Sequence, residues 1–489
     1  MTSKSTKRAL ITSALAILMC AAMLIGATFA WFTDTASTGV NKIVSGNLKV
    51  DIIGADSDSH IEKLNFTKVA TTDAEAGAEI LWEPGCRYLT EGFRIANKGN
   101  LALKWKAQVN TGTTTANEGN FDLLDVIDFY LVTKAADGTE TETALDEFTG
   151  NLKKTETSDV YYIKGVMQTT AGNDYQGLTL DGISITVVAT QDTVESDSFD
   201  NQYDKDAEYP ILVTTGDELQ AIVSNATAPV NIVLTNSITT NNFVIPEDKD
   251  VTLDLNGRTV TNAGSHTILN KGHLTLTDSS ADKSGQIISL KGNTAALRNG
   301  DNAVCVVEGG TISRDGANGN TWHVVENFGK MTFNGGKVVL KNGNGFAITN
   351  GWNYFDPGAS TTHAVMEINA LELDTDSSGI KNCRYGDLTV NDVTVTSTGY
   401  WALSNDYLGT AVINGGTLTS NSFKAVSNGA AMTVNGGTFN GTQGFFVQSY
   451  ATSTVLNGGT FANMNVDALS SYVGTGHTAQ QSGTSVIIK

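Results

Sequence analysis

The first stretch of the chain does not alternate between apolar and polar residues. Ala9 to Phe29 is an apolar run broken only by Thr12, Ser13, Gly26 and Thr28, and Lys4, Lys7 and Arg8 precede it. A charged leader, an apolar helix and the small residues around Thr28-Phe29-Ala30 form the pattern of an export signal, expected over residues 1–30 with cleavage between Ala30 and Trp31. The run is also long enough to cross a bilayer, so a retained anchor is the second reading. No basic stop-transfer cluster follows Trp31, which favours cleavage.

After the signal the hydrophobic period drops to two. Ser45 to Asp51 and Tyr88 to Ile95 alternate like half-buried strands, and Trp82-Glu83-Pro84-Gly85 reads as a turn between them. Asn97-Lys98-Gly99-Asn100 reads as a second turn, which makes Tyr88 to Val109 an expected hairpin. Phe121 to Leu131 suits a short helix running into a strand, and Ile183 to Thr190 a closing buried strand. Together they predict a jelly-roll β-sandwich over residues 31–205. Asp192 to Glu208 is acidic and lacks the glycine that a calcium loop needs at its sharp turn, so it is read as a solvated linker.

From residue 206 to 489 the pattern repeats. Thr215-Gly216-Asp217-Glu218 is a capping-box sequence opening a short helix, with strands expected at Asn231 to Thr235 and Val251 to Leu255. Asn-Gly-Gly then recurs from Asn414, Asn435 and Asn457, at separations of 21 and 22 residues. Degenerate copies begin at Asn369 and Asn391, and a second signature recurs at Ala347 to Gly351, Ala402 to Asp406 and Ala425 to Gly429. One such coil cannot bury its apolar face alone, so the period predicts a right-handed parallel β-helix with a short helical N-terminal cap. Stacked Asn side chains are expected to hydrogen-bond along its axis. Ser470 to Lys489 leaves the repeat, as a closing segment would.

Composition agrees with an all-β chain, for fifty glycines stand against five prolines among abundant Thr, Asn and Val. The net charge of −20 makes nucleic acid and anionic membranes poor partners. Beyond the signal, Cys86, Cys305 and Cys383 are an odd, scattered set, better read as buried thiols than as a disulfide framework or a metal site.

Four features in order carry a resemblance: the signal ending before Trp31-Phe32-Thr33-Asp34; Ser45-Gly46-Asn47-Leu48; Pro84-Gly85 with its aromatic strand and Asn97 to Ala102; and Ile185 to Gln191. In these the first 200 residues resemble the TasA/camelysin family of exported Gram-positive proteins. The resemblance implies processing by a dedicated signal peptidase of the SipW type and a jelly-roll subunit of biofilm-matrix fibres. The repetitive region resembles the pectate-lyase-like β-helices of adhesin-like surface proteins.

Candidate chemistry is sparse. Camelysin-like members are described as metallopeptidases, yet residues 31–205 contain one histidine, His60, and no HExxH pair. A polysaccharide lyase or hydrolase would need paired acids. Asp374 and Asp376 are expected on one strand face but read better as a solvated turn, and Arg384, His323 and His363 are read as isolated. No catalytic, cofactor-binding or metal-binding residue is therefore assigned. Trp322, Trp352, Tyr400 and Trp401 are candidates for stacking on sugars, with packing as the competing use of such rings. Trp31 and Phe32 are candidate donor residues that add a strand to the next subunit. The expected function is a secreted structural or adhesive protein of the cell surface or biofilm matrix that self-associates into fibres. The alternative is a carbohydrate-binding or carbohydrate-active β-helix protein.

Overall fold

A computed structural model describes residues 48–61, 64–67, 82–110, 113–114, 121–145, 148–181, 184–192, 208–315, 322–343, 345–352 and 362–489. The expected export signal, Ala30, Trp31, Phe32 and the expected boundary at 205/206 lie outside them. The protein is all-β: antiparallel sheets up to Gln191, then a parallel solenoid of about 10 turns.

In the first region one antiparallel sheet holds Val50–Gly54, Phe93–Asn97, Tyr161–Met167, Arg87–Thr90, Phe66–Thr67, Ile127–Lys134 and Glu140–Ala144. A second is ordered Ser184–Gln191, Leu103–Asn110, Phe148–Leu152. Leu103, Trp105 and Ala107 all point inward, as alternation requires, and share one apolar core with Phe93, Ile95, Leu131 and Ile163 of the first sheet.

The hairpin expected over Tyr88 to Val109 does not form. Phe93–Asn97 pairs with Val50–Gly54, whereas Leu103–Asn110 pairs with Ser184–Gln191 and Phe148–Leu152 in the other sheet. Asn97 is the reason. Its buried amide donates to the carbonyls of Leu101 at 2.7 Å and Lys153 at 3.1 Å, and accepts the Gly99 N–H at 2.9 Å. This pins a corner that carries the chain between sheets. The run from Tyr88 to Ile95 also breaks into Arg87–Thr90 and Phe93–Asn97, at Gly92, where a Cβ would come within 2.9 Å of Ala55 and Val160 side chains. The first strand starts at Val50, later than the alternation from Ser45 suggested. The short helix expected from Phe121 is a 3-10 turn at Leu123–Asp125, capped by Asp122 and running into Ile127–Lys134.

The solenoid stacks three parallel sheets of short strands. Its first sheet runs from Ile211–Val213 to Ser453–Leu456, its second from Ile238–Thr240 to Gly459–Phe461, and its third from Phe243–Ile245 to Phe445–Val447. Inward columns form one continuous core. Val251, Leu274, Cys305, Met331, Met366, Leu388, Ala411 and Met432 lie in register across successive coils. Cys305 is thus a small core residue, and burial pushes its thiol up to about 12, as it does that of Cys383. No described cysteine is bridged.

Two amide ladders run along the corners. In the Asn-Gly-Gly copies each Asn donates to its predecessor, from Asn369 to Asn334, then through Asn391, Asn414, Asn435 and Asn457, at 2.7–2.9 Å. Asn369 and Asn391 join this ladder although their copies are degenerate. The left-handed conformation falls on the second glycine, as at Gly416 (φ 93°) and Gly437 (φ 110°), where a Cβ would be strained. A second ladder lies wholly inside: Asn270, Asn299, Asn327, Asn350, Asn382, Asn405 and Asn428, linked at 2.7–2.9 Å.

Helix Gly216–Asn225 lies between the first two strands of the solenoid and buries Leu219 and Val223 in its core. Thr215 caps the Glu218 N–H at 3.2 Å, while the Glu218 carboxylate takes the N–H of Thr214, one residue earlier than a regular capping box. Gln220 accepts the Val244 N–H at 2.9 Å and donates to its carbonyl at 3.0 Å. Its amide therefore stands in for a neighbouring strand at the first strand of the third sheet. At the other end, Ser485–Ile488 adds antiparallel to Gly459–Phe461, and Ala479–Ser482 pairs with it in turn. The repeat stops where Ser470 to Lys489 was expected to leave it.

Candidate functional site

The third sheet gathers most of the residues that carry chemistry. The positions that point away from its core form one register column, Arg298, Glu326, Thr349, Lys381, Ser404, Ser427 and Phe446, of which Glu326, Thr349 and Ser427 are covered by their surroundings. The column changes character along its length, charged in the earlier coils and neutral with an aromatic end in the later ones.

In the charged part, Arg298 bonds Glu326 at 3.0 Å and lies over the Phe328 ring at 4.6 Å. Phe328 packs on Trp352 at 4.5 Å. Trp352 is only 9 % exposed, so this candidate stacking residue is packing and no open platform. Trp322 is half-buried beside His323. The Nδ1 of His323 lies 2.9 Å from the Phe346 carbonyl, and that of His266 accepts the Ala295 N–H at 2.9 Å. Burial lowers the pKa of both imidazoles and keeps them neutral. Behind them Arg314 turns into the solenoid, donating to the His323 carbonyl at 3.4 Å, and burial lowers its pKa to about 10.

The later part holds Tyr400 and Trp401, joined by rings that the sequence reading did not single out. Trp401 meets Phe423 edge-on at 4.7 Å and Phe446 nearly parallel at 6.2 Å, and Tyr400 meets Phe423 at 5.9 Å. The Lys424 ammonium lies 3.2 Å from the Phe446 ring centre. Tyr400 is 57 % exposed. The signal for Phe423 and Phe446 was the repeat itself, since they follow Trp401 by 22 and 45 residues, one and two periods.

The acids that a hydrolase would need are dispersed. Asp374 pairs with Lys341 at 2.8 Å inside strand Glu372–Thr375. Asp376 lies beyond the end of that strand and accepts the N–H groups of Asn342 and Gly343 in the preceding coil, so the two do not share a strand face. Asp387 pairs with His363 at 2.8 Å, Asp406 with Lys381 at 3.1 Å, and Arg384 lies against Tyr385. His363 and Arg384 are therefore engaged, contrary to their reading as isolated residues. His60 pairs with Asp51 at 2.6 Å. Among the described residues no group of three or more His, Cys, Asp or Glu side chains converges as metal ligands would. Comparison of the chain with protein-family models, with characterised proteins and with solved structures finds no match in any of the three.

Proposed function

We propose that the chain is an exported structural or adhesive protein of the cell surface or extracellular matrix. In this reading residues 31–205 form a jelly-roll assembly module and residues 206–489 a right-handed β-helix displayed outward, with helix Gly216–Asn225 as its cap. The observation that carries it is how the solenoid uses its polar residues. Asparagines link coil to coil, and Asp374, Asp376, Asp387 and Asp406 are held in ion pairs or backbone contacts. That is the economy of a long scaffold rather than of a site that moves protons. The export pattern before Trp31 and the acidic charge support the same reading, as does the resemblance to the TasA/camelysin family.

Self-association is assigned to the first region. Among the described residues, Phe148–Leu152 has one strand partner, Leu103–Asn110, and an edge of this kind accepts an added strand. The donor is the segment beginning Trp31-Phe32, released by the signal peptidase; head-to-tail addition does not close and yields filaments. Deleting Trp31 to Gly39 from the mature chain tests this. Electron microscopy should show filaments for residues 31–489 and none for the deletion, while circular dichroism stays unchanged. Filaments from both would reject the donor mechanism.

A further inference from the structure

We propose that the outer face of the third sheet, over the coils from Tyr400 to Tyr450, binds a neutral polysaccharide chain, an inference that rests on the surface-displayed reading above. The repeat sets a floor and two rims. Ser404, Ser427 and Phe446 occupy successive positions of the floor; Ser404 and Phe446 are half-buried, whereas Ser427 is buried beneath Gln448, whose side-chain amide donates to its Oγ at 3.1 Å. Tyr400, Trp401 and Phe423 precede these strands in sequence and line one rim; Tyr407 and Tyr450 follow them and line the other. Gly429 makes room for the second rim, since a Cβ there would come within 2.7 Å of the Tyr450 ring.

Tyr400, Tyr407 and Tyr450 are 57 %, 45 % and 54 % exposed, whereas Trp352 in the earlier coils is covered. Rings left open at this density on both sides of an uncharged floor that offers the Ser404 hydroxyl and the Gln448 side chain suit an amphipathic ligand. A pyranose fits, because its C–H faces stack on the rings while its equatorial hydroxyls reach Ser404, Gln448 and backbone groups.

Charge selects the kind of polymer. Between Thr394 and Phe461 the chain carries two charged side chains, Asp406 and Lys424. Asp406 is paired with Lys381, and Lys424 lies on the Phe446 ring. A polyanion finds no array of cations here and meets a chain of net charge −20. Successive coils advance by about 4.8 Å. That is close to the rise of one sugar in an extended chain, so the rims suit a polymer lying along the solenoid axis.

The test is calorimetric titration of residues 31–489 with cellohexaose, xylohexaose and mannohexaose, and with hexagalacturonate as the charged control. At least one neutral hexamer should bind. The double substitution Tyr400→Ala/Tyr450→Ala should weaken it by about tenfold with the thermal midpoint unchanged. Oxidative footprinting of the unsubstituted protein should show Tyr400 and Tyr450 protected at saturation, a readout that does not depend on the variant folding. No binding of any neutral hexamer at millimolar concentration, equal or tighter binding of hexagalacturonate, or unprotected tyrosines would each overturn the proposal. If the mature protein forms matrix filaments yet binds no neutral hexamer, this inference fails and the matrix reading stands. If it binds yet is neither exported nor assembled, the reverse holds.

Discussion

The antiparallel sheets before Gln191 and the solenoid after Tyr209 solve the same problem in opposite ways. In the sheets a strand finds its partner far along the chain: Leu103–Asn110 pairs with Ser184–Gln191, 74 to 88 residues away. In the solenoid nearly every strand pairs one period away, and identical contacts recur from coil to coil. A fold of the first kind depends on a few residues that meet once. One of the second kind spreads its stability over nearest-neighbour interfaces, so a local defect is felt by the adjoining coils.

The largest single effect is therefore expected in the sheets. Trp105 is fully buried and packs edge-on against Phe148 at 5.6 Å, while Gly150 is a glycine because a Cβ would fall 2.7 Å from the indole. Trp105→Ala should cost about 3–5 kcal/mol. Thermal unfolding followed by circular dichroism should then show two transitions, with the antiparallel region melting first and the solenoid transition unmoved. A single shifted transition would mean that the two regions fold as one.

Next comes the buried ladder. Asn382 accepts from Asn350 at 2.9 Å and donates to Asn405 at 2.8 Å and to the Thr410 carbonyl at 3.0 Å. Asn382→Ala strands these partners in a dry interior and should cost about 2–3 kcal/mol. Asn391 makes similar amide bonds to Asn369 and from Asn414, but at the surface, where water replaces them. Asn391→Ala should stay within about 0.5 kcal/mol. Equal losses at the two positions would show that ladder geometry, and not burial, sets the stability.

This contrast also explains what was legible in advance. The Asn-Gly-Gly ladder could be read because both the amide and the glycines recur at a fixed period. The buried ladder was seen at Asn350, Asn405 and Asn428 but missed at Asn270, Asn299, Asn327 and Asn382. There the following residues change, and only the preceding pattern of an aliphatic residue, any residue, then Asn persists, as in Ile380-Lys381-Asn382. The false hairpin at Asn97 has another cause. A turn sequence reports that the chain reverses or bends, and the buried side-chain bonds of Asn97 that decide which sheet it enters come from residues such as Leu152 and Lys153, far along the chain. Trp352 and Tyr400 looked alike in sequence, because covering a ring is a property of the neighbouring coils.

A smaller, pH-dependent effect separates the regions again. His266 and His323 are half-buried, with pKa values lowered by desolvation, so below the ordinary histidine range the unfolded chain takes up protons that the folded solenoid refuses. Solenoid stability from these residues is fully present above about pH 6.5 and falls as the pH drops through that range toward the folded pKa. The solenoid transition should move to lower temperature between pH 7 and 5, and His323→Gln should reduce that shift. A solenoid transition that does not respond to this pH change would contradict the desolvated, neutral assignment.

The division of labour between the two regions is tested most directly by electron microscopy of two purified proteins side by side, residues 31–489 and residues 206–489. The account predicts filaments from the first and folded, monomeric rods from the second, because the proposed function assigns assembly to the antiparallel region and the solenoid has its own core. Filaments from residues 206–489, or dispersed particles from residues 31–489, would contradict it.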